Sequence, residues 1–389
     1  MEDFTFYSPT MFVFGRGNVK KTAKLIKRFR GSRVLLVCGK ESALKSGLVI
    51  KLEEILNAAG LEHERLSGIE ANPLCDKVYE GIEKGRGMGA DFILAAGGGS
   101  VMDTAKAVAA GIPYDGDFAD FFYGKRIEKA LPLGTIPTIS GSGSEASHDA
   151  VISFGGGKYK KSASGDAIRP VFSILDPELT FTVPVYQSAC GITDIISHLY
   201  ERYISDSEDT NVSDRLIEGA LNAVKDAAPL VMADPKAYAP RAEIMWAAAV
   251  SHGGMLGMGR HEDWNSHFIE HVLSSHYGCA HGAGLAVVMP AVFKYYIRQG
   301  FDKPFKKLAE RVWGINADVD PALKGIAALS DFFRMMDMPS SLGELGGSPE
   351  DIDSLISELL YEDGGKGFAG GIIKLGEDAC REILASMLQ

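Results

Sequence analysis

A chain of 389 residues with 46% apolar and 23% charged side chains exceeds what one hydrophobic core usually spans, so two domains are expected. The formal charge of −11 and the lack of a long Lys/Arg run exclude a nucleic-acid partner, and no stretch of about eighteen apolar residues is available to span a membrane. The start of the chain lacks the basic-then-apolar pattern of a secretory leader, and the scattered Cys38, Cys75, Cys190, Cys279 and Cys380 form no CxxC pair, so a reducing cytoplasm is the expected location.

In the first half, short apolar runs alternate with amphipathic stretches, the pattern of βα units around a parallel sheet. Residues 33–38 (RVLLVC) predict a buried strand, followed by Gly39 and a helix over 48–59. A strand over 62–69, a turn at Asn72-Pro73 and a helix over 75–86 come next. Residues 91–96 (DFILAA) predict a third strand that runs into Gly97-Gly98-Gly99-Ser100 and a helix through about 110, and a fourth strand over 133–137 ends in TISGSGS, residues 138–144. After Pro184 strand-like runs become scarce, and apolar residues three and four apart predict helices over 211–232, 242–254, 266–277, 323–335 and 378–388. The expected architecture is a Rossmann-like α/β dinucleotide-binding domain over 1–184 and an all-α domain over 185–389, with a ligand cleft where they join.

The two glycine turns suggest what the first domain holds. Successive glycines let a ligand approach the backbone, and the helix N-terminus after Gly97-Gly98-Gly99-Ser100 offers unpaired N–H groups to a pyrophosphate; Ser100 and Asp103 also have capping-box spacing. The second turn follows the next strand, so both fall at the carboxyl edge where open α/β sheets bind nucleotides. The first strand ends in Cys38-Gly39 rather than in an acid that would repel a 2′-phosphate, and Lys40 and Ser42 add donors. NADP(H) is therefore slightly favoured over NAD(H), with Glu41 in the same loop acting against it.

The second half concentrates imidazoles. Six of the nine histidines fall between His252 and His281, and Asp194 and His198, four apart in ITDIISHLYERY, project from one helix face. His267 and His271 repeat that spacing and His281 follows in GCAHGAG, a donor set suited to Fe²⁺ or Zn²⁺. Spacing alone nominates His267 and His271 as a ligand pair and leaves His252, His261 and His276 open.

At this point motifs can be read together. GGGSVMDTAKAVA (97–109), IPTISGSGSEAS (136–147), ILDPELTFTVP (174–184), ITDIISHLYERY (192–203), DWNSHFIEHVLS (263–274) and CAHGAGLAVVMP (279–290) resemble the iron-containing alcohol dehydrogenases, in the branch of butanol dehydrogenases and NADPH-dependent aldehyde reductases. The resemblance implies a dehydroquinate synthase-like fold, a homodimeric assembly, and metal ligands at Asp194, His198, His267 and His281. It assigns His271 to a histidine near the nicotinamide, free of the metal and able to relay a proton. It also implies coenzyme contacts from Gly39, Lys40 and Ser42 at the adenine ribose, Gly98, Gly99, Ser100 and Asp103 at the diphosphate, Thr138, Ser140 and Ser142 in the second turn, and Lys160. The first turn departs from the branch's GGGS-like form, reading Gly39-Lys40-Glu41-Ser42.

The implied reaction is reversible hydride transfer between NAD(P)H and an aldehyde such as butyraldehyde, polarised by the metal. Two readings compete with it. One is a metal-dependent lyase or cyclase of the dehydroquinate synthase type using NAD transiently, for whose polyhydroxy acid residues 252–281 offer only Arg260 as a fixed cation. The other is a structural metal in a nucleotide-binding regulator, which requires a closed four-ligand site.

Overall fold

Alternation along the strands decides which residues face which layer. The computed structural model describes residues 1–40, 46–362 and 365–388. Strands β1 (Met11–Phe14), β2 (Arg33–Gly39), β3 (Glu62–Ile69), β4 (Phe92–Gly97), β5 (Leu133–Pro137) and β8 (Phe172–Leu175) form a parallel sheet in the order β1-β8-β5-β4-β2-β3. On β2 and β4, Val34, Leu36, Phe92 and Leu94 point to one face and pack against helices α1 (Thr22–Arg28) and α2 (Leu48–Ala58). Leu35, Val37, Ile93 and Ala95 point to the other, against α3 (Cys75–Gly87) and α4 (Gly99–Gly111). Both faces being covered, the central strands read as continuous apolar runs, as buried parallel strands should.

Two short sheet strands and a hairpin lie outside the sequence expectation. β1 and β8 have four residues each, too few to show a period, and β6 (Asp149–Phe154) pairs antiparallel with β7 (Tyr159–Ser164) around a glycine turn.

The second half is helical. Helix α5 (Val185–Tyr203) is buried without interruption from Ser188 to Tyr203, and α6 (Asn211–Ala233) follows it. Helix α7 (Tyr238–His252) is succeeded by α8 (Asn265–Tyr277), α9 (His281–Arg298), α10 (Lys303–Arg311), α11 (Pro321–Met335), α12 (Ile352–Leu360) and α13 (Glu377–Ser386). Among these, α9 is buried from Gly282 to Phe293 and packs against α5, α8 and α11. No helix among the described residues is long and apolar enough to cross a membrane.

The division of the chain differs from a single cut at 184. One compact unit comprises Tyr7–Val183 together with Pro235–Gly254, and the other comprises Met1–Phe6, Pro184–Asp234 and Met255–Gln389. Helix α7, expected in the all-α domain, thus belongs to the sheet unit. Its Met245 and Ala249 pack with Ala146, Leu175 and Phe12, and Trp246 meets the Phe12 ring edge-on at 5.5 Å. Helical periodicity reveals that α7 has an apolar stripe but not which unit supplies the partner.

Candidate active site

In the helical unit, three helices converge on one carboxylate oxygen. Asp194 and His198 lie one turn apart on α5, His267 is in the first turn of α8, and His281 opens α9. Asp194 Oδ1 is 3.8 Å from His198 Nε2, 3.8 Å from His267 Nε2 and 3.5 Å from His281 Nε2. These separations are long for hydrogen bonds. They match the edge of a tetrahedron around an ion with ligand bonds of about 2.0–2.2 Å, an edge of about 3.4 Å.

The donors also need such a group. Asp194 Oδ1 and His267 Nε2 are buried and make no hydrogen bond in the structure, a costly condition that a shared cation would relieve. The residues present therefore fit a divalent ion. The side chains of Asp194, His198 and His267 are at most 9% exposed, whereas His281 is 29% exposed, so the site is accessible on the His281 side.

The neighbouring carboxylates were not legible as site residues. The carboxylate of Glu201 accepts from His267 Nδ1, and that of Glu270 accepts from His281 Nδ1. Both glutamates are fully buried. Burial alone would lower the His267 pKa; Glu201 and Asp194 outweigh it and raise the value to about 10. Trp264 stands beside these side chains, its ring 5.1 Å from that of His267 and 5.9 Å from that of His198, with the Arg202 guanidinium 4.7 Å from the indole centroid.

His281 reaches this site because small residues flank it. A Cβ on Gly282 would lie 2.0 Å from the Cys190 carbonyl oxygen on α5, and one on Gly284 would lie 2.8 Å from Glu270 Cγ on α8. The GCAHGAG segment is thus a close-packing device for α9.

The other histidines separate. His271 groups with Glu270 and His281 rather than with Asp194, its ring 6.2 Å from that of His267 and 5.7 Å from that of His281. The pairing of His267 with His271 nominated by spacing does not converge on Asp194, because α9 supplies the third imidazole from another direction. His261 pairs with Asp206 at 2.9 Å and His276 with Glu358 at 3.3 Å, while His252 lies in the sheet unit, 3.3 Å from Asp149.

In the sheet unit, the two glycine turns meet. β2, β4 and β5 are adjacent, and their carboxyl ends carry Gly39, the 97–100 turn and the 138–144 turn. A Cβ on Gly98 would lie 2.9 Å from Ile139 Cγ2, and one on Gly99 would lie 2.6 Å from Ser142 Oγ. Thr138 N–H donates to Gly97 O at 3.1 Å, and Ser140 is buried. Gly98 and Gly99 thus lie directly against Ile139 and Ser142 at the start of α4, and Ser100, Thr138 and Ser140 belong to the same two turns. No side-chain hydrogen bond caps that helix at Gly98, and a helix N-terminus of this kind is suited to an anionic group.

Asp103 does not make the capping box expected of it with Ser100. Its carboxylate accepts from Ser144 Oγ at 2.6 Å and from Val151 N at 3.0 Å, tying α4 to the second turn and β6. One turn later, the fully buried Lys106 donates to Ser144 Oγ at 2.9 Å, Ser147 Oγ at 3.0 Å and Asp149 O at 2.7 Å. Burial pushes its pKa down to about 8 against the pull of Asp103. Sequence reading missed Lys106, whose apolar neighbours in TAKAVA mark it as interior. Lys160 lies on β7 opposite Ser153, and Lys40 is 2.5 Å from Glu70 at the end of β3. Ser42 lies outside the described residues.

Comparison with known proteins agrees along the chain. Residues 9–177 match the family model "Iron-containing alcohol dehydrogenase", and residues 188–368 match "Fe-containing alcohol dehydrogenase family, C-terminal". The chain is 38% identical to a probable NADH-dependent butanol dehydrogenase of Bacillus subtilis, covering 100% of both sequences. It is 32% identical to the NADPH-dependent aldehyde reductase YqhD of Escherichia coli, over 97% of this chain and 96% of that one. The crystal structure of an NADH-dependent butanol dehydrogenase A from Thermotoga maritima superposes with a TM-score of 0.95 at 36% identity, covering 100% of this chain and 99% of the other.

Proposed function

The chain belongs to the iron-containing alcohol dehydrogenase family and catalyses NAD(P)H-dependent interconversion of an aldehyde and an alcohol, and we propose short primary alcohols of the butanol class as its substrates. The observation that carries the site assignment is the single Asp194 oxygen within 3.8 Å of three imidazole nitrogens, open on the His281 side. Asp194, His198, His267 and His281 would hold Fe²⁺ or Zn²⁺, which when bound would polarise a carbonyl oxygen, while a bound nicotinamide would supply the hydride.

The chain's own residues do the rest. Glu201 and Glu270 hold two imidazoles with Nε2 towards the ion position. Gly98, Gly99 and the N-terminus of α4 bind the coenzyme diphosphate, with Thr138, Ser140 and Ser142 completing the cradle and Asp103 bracing it. His271 delivers the proton to the nascent alkoxide, its ring close to that of His281 without sharing the Asp194 oxygen. Lys160 reaches the coenzyme from β7, and Gly39, Lys40 and Ser42 receive the adenosine end.

For coenzyme choice, NADP(H) is slightly favoured. The Lys40–Glu70 pair is exposed on both sides and worth only about 0–1 kcal/mol, so the ammonium can turn to a 2′-phosphate. Relatives of both habits exist, the Clostridium acetobutylicum butanol dehydrogenases being named NADH-dependent and the Escherichia coli reductase NADPH-dependent. A cytoplasmic homodimer is the proposed state, supported by five free cysteines and by the prevalence of two-fold dimers.

The lyase alternative is disfavoured by Arg260. That guanidinium is buried and bound to Asp214 at 2.7 Å and to Arg202 O at 2.9 Å, so it is committed to packing. The accessible His281 side likewise disfavours a closed structural site.

The test is coenzyme oxidation with butyraldehyde, followed by absorbance before metal removal, after it, and after addition of Fe²⁺ or Zn²⁺. Turnover should vanish on removal and return with the ion, with kcat/KM higher for NADPH than for NADH. Full turnover by metal-free protein would refute the metal's role, and absence of net coenzyme consumption would restore the lyase.

A further inference from the structure

Two of the metal-binding helices share a short pattern whose members act across helices. α5 carries His198-Leu199-Tyr200-Glu201, and α8 carries His267-Phe268-Ile269-Glu270. In each, a glutamate follows a ligand histidine by three residues, yet neither glutamate serves the histidine of its own helix in the contacts described above. Glu201 on α5 accepts from Nδ1 of His267 on α8, and Glu270 on α8 accepts from Nδ1 of His281 on α9.

We infer that Glu201 and Glu270 are positioning residues forming a serial brace, in which each ligand helix supplies the carboxylate that fixes the tautomer and ring angle of the next helix's ligand. This rests on the metal-centre reading above. An Nδ1–H donated to a carboxylate leaves the lone pair on Nε2, the nitrogen that faces Asp194 Oδ1 in His267 and His281 alike.

Burial makes the brace rigid. Both glutamates are fully buried, and Glu201 Oε1 also accepts from the Ser266 and His267 backbone N–H groups at 2.8 and 3.3 Å. One carboxylate therefore anchors the first turn of α8 and orients the ligand in it. Glu270 in turn fits because Gly284 leaves room for its side chain. A glutamate whose only task was helix packing would not need its second oxygen on the imidazole.

The test uses Co²⁺ as probe on the full chain, with Glu201→Gln and Glu270→Gln as nearly isosteric variants and Glu201→Ala as the harsher one. Co²⁺ affinity by chelator competition, release rate into excess chelator and the visible d–d spectrum are read together. NADPH binding checks that the fold is retained. Each Gln variant should bind Co²⁺ about 10–100-fold more weakly, release it faster and show an altered spectrum. In Zn²⁺-loaded protein labelled at histidine, Glu201→Gln should shift the ring N–H resonance of His267, and Glu270→Gln that of His281, leaving that of His198 in place. Gln variants that fold, bind Co²⁺ within twofold of the parent and keep its spectrum would overturn the brace. Failure of the unaltered chain to bind Co²⁺ would instead refute the metal centre itself, so the two failures are distinct.

Discussion

His267 and His271 sit one turn apart on α8 in different surroundings, and the proposed function gives them different tasks. His267 is buried, and its Nε2 is 3.8 Å from the Asp194 oxygen, whereas His271 stands beside Glu270 and His281. His267→Ala should abolish metal binding, measured as ion per chain. His271→Ala should keep full metal content while kcat falls by about 10²–10⁴, the usual worth of a positioned acid or base. Equal metal loss in both variants would contradict this division. At this scale the sequence showed the donor types, and the family resemblance proposed Asp194, His198, His267 and His281 together; the structure brings the three imidazoles within 3.8 Å of the Asp194 oxygen. Glu201 and Glu270 were not legible in the sequence, because a charged residue inside an amphipathic helix reads as solvent-facing until its partner is known. The repeated His-x-x-Glu spacing was the available signal, and its meaning lies in contacts between helices that spacing within one helix cannot convey.

Among the elements, α9 is the most demanding to place. Its first turn presses on α5 so closely that Gly282 has no space for a methyl group, the nearest obstacle being backbone. Gly282→Ala should cost about 1–3 kcal/mol of stability by overpacking and weaken metal loading, since His281 is the adjacent residue. Gly219, inside α6 with nothing within 4 Å of a built Cβ, is the matched control. Gly219→Ala should gain about 0.5–1 kcal/mol with metal content unchanged. Denaturant unfolding of the two variants checks both signs, and a stable, fully loaded Gly282→Ala protein would remove the argument. Long periodic elements were legible to within a few residues, among them β3, α6 and α8. The four-residue β1 and β8 were not, since their place is set by pairing with each other and not by local pattern.

For the whole molecule, the chain order of the two units matters more than their count. Helix α7 returns to the sheet unit after α5 and α6 have been laid down in the other, so the sheet unit is not one continuous stretch. A fragment of residues 1–184 should therefore be less stable and more prone to aggregate than one in which residues 235–254 are appended through a flexible linker. Light scattering and thermal unfolding of the two fragments would show this, and equal behaviour would mean that α7 is dispensable. The same discontinuity has a consequence in time. On the ribosome, the sheet unit can gather most of its core once residue 183 has emerged, but Phe12, Ala146 and Leu175 then wait uncovered for α7. At a synthesis rate of roughly 5–20 residues per second, the wait is about 4–14 s. During that interval the nascent chain presents an apolar patch beside the glycine turns, an opening for a chaperone or a misplaced strand that the finished protein no longer offers.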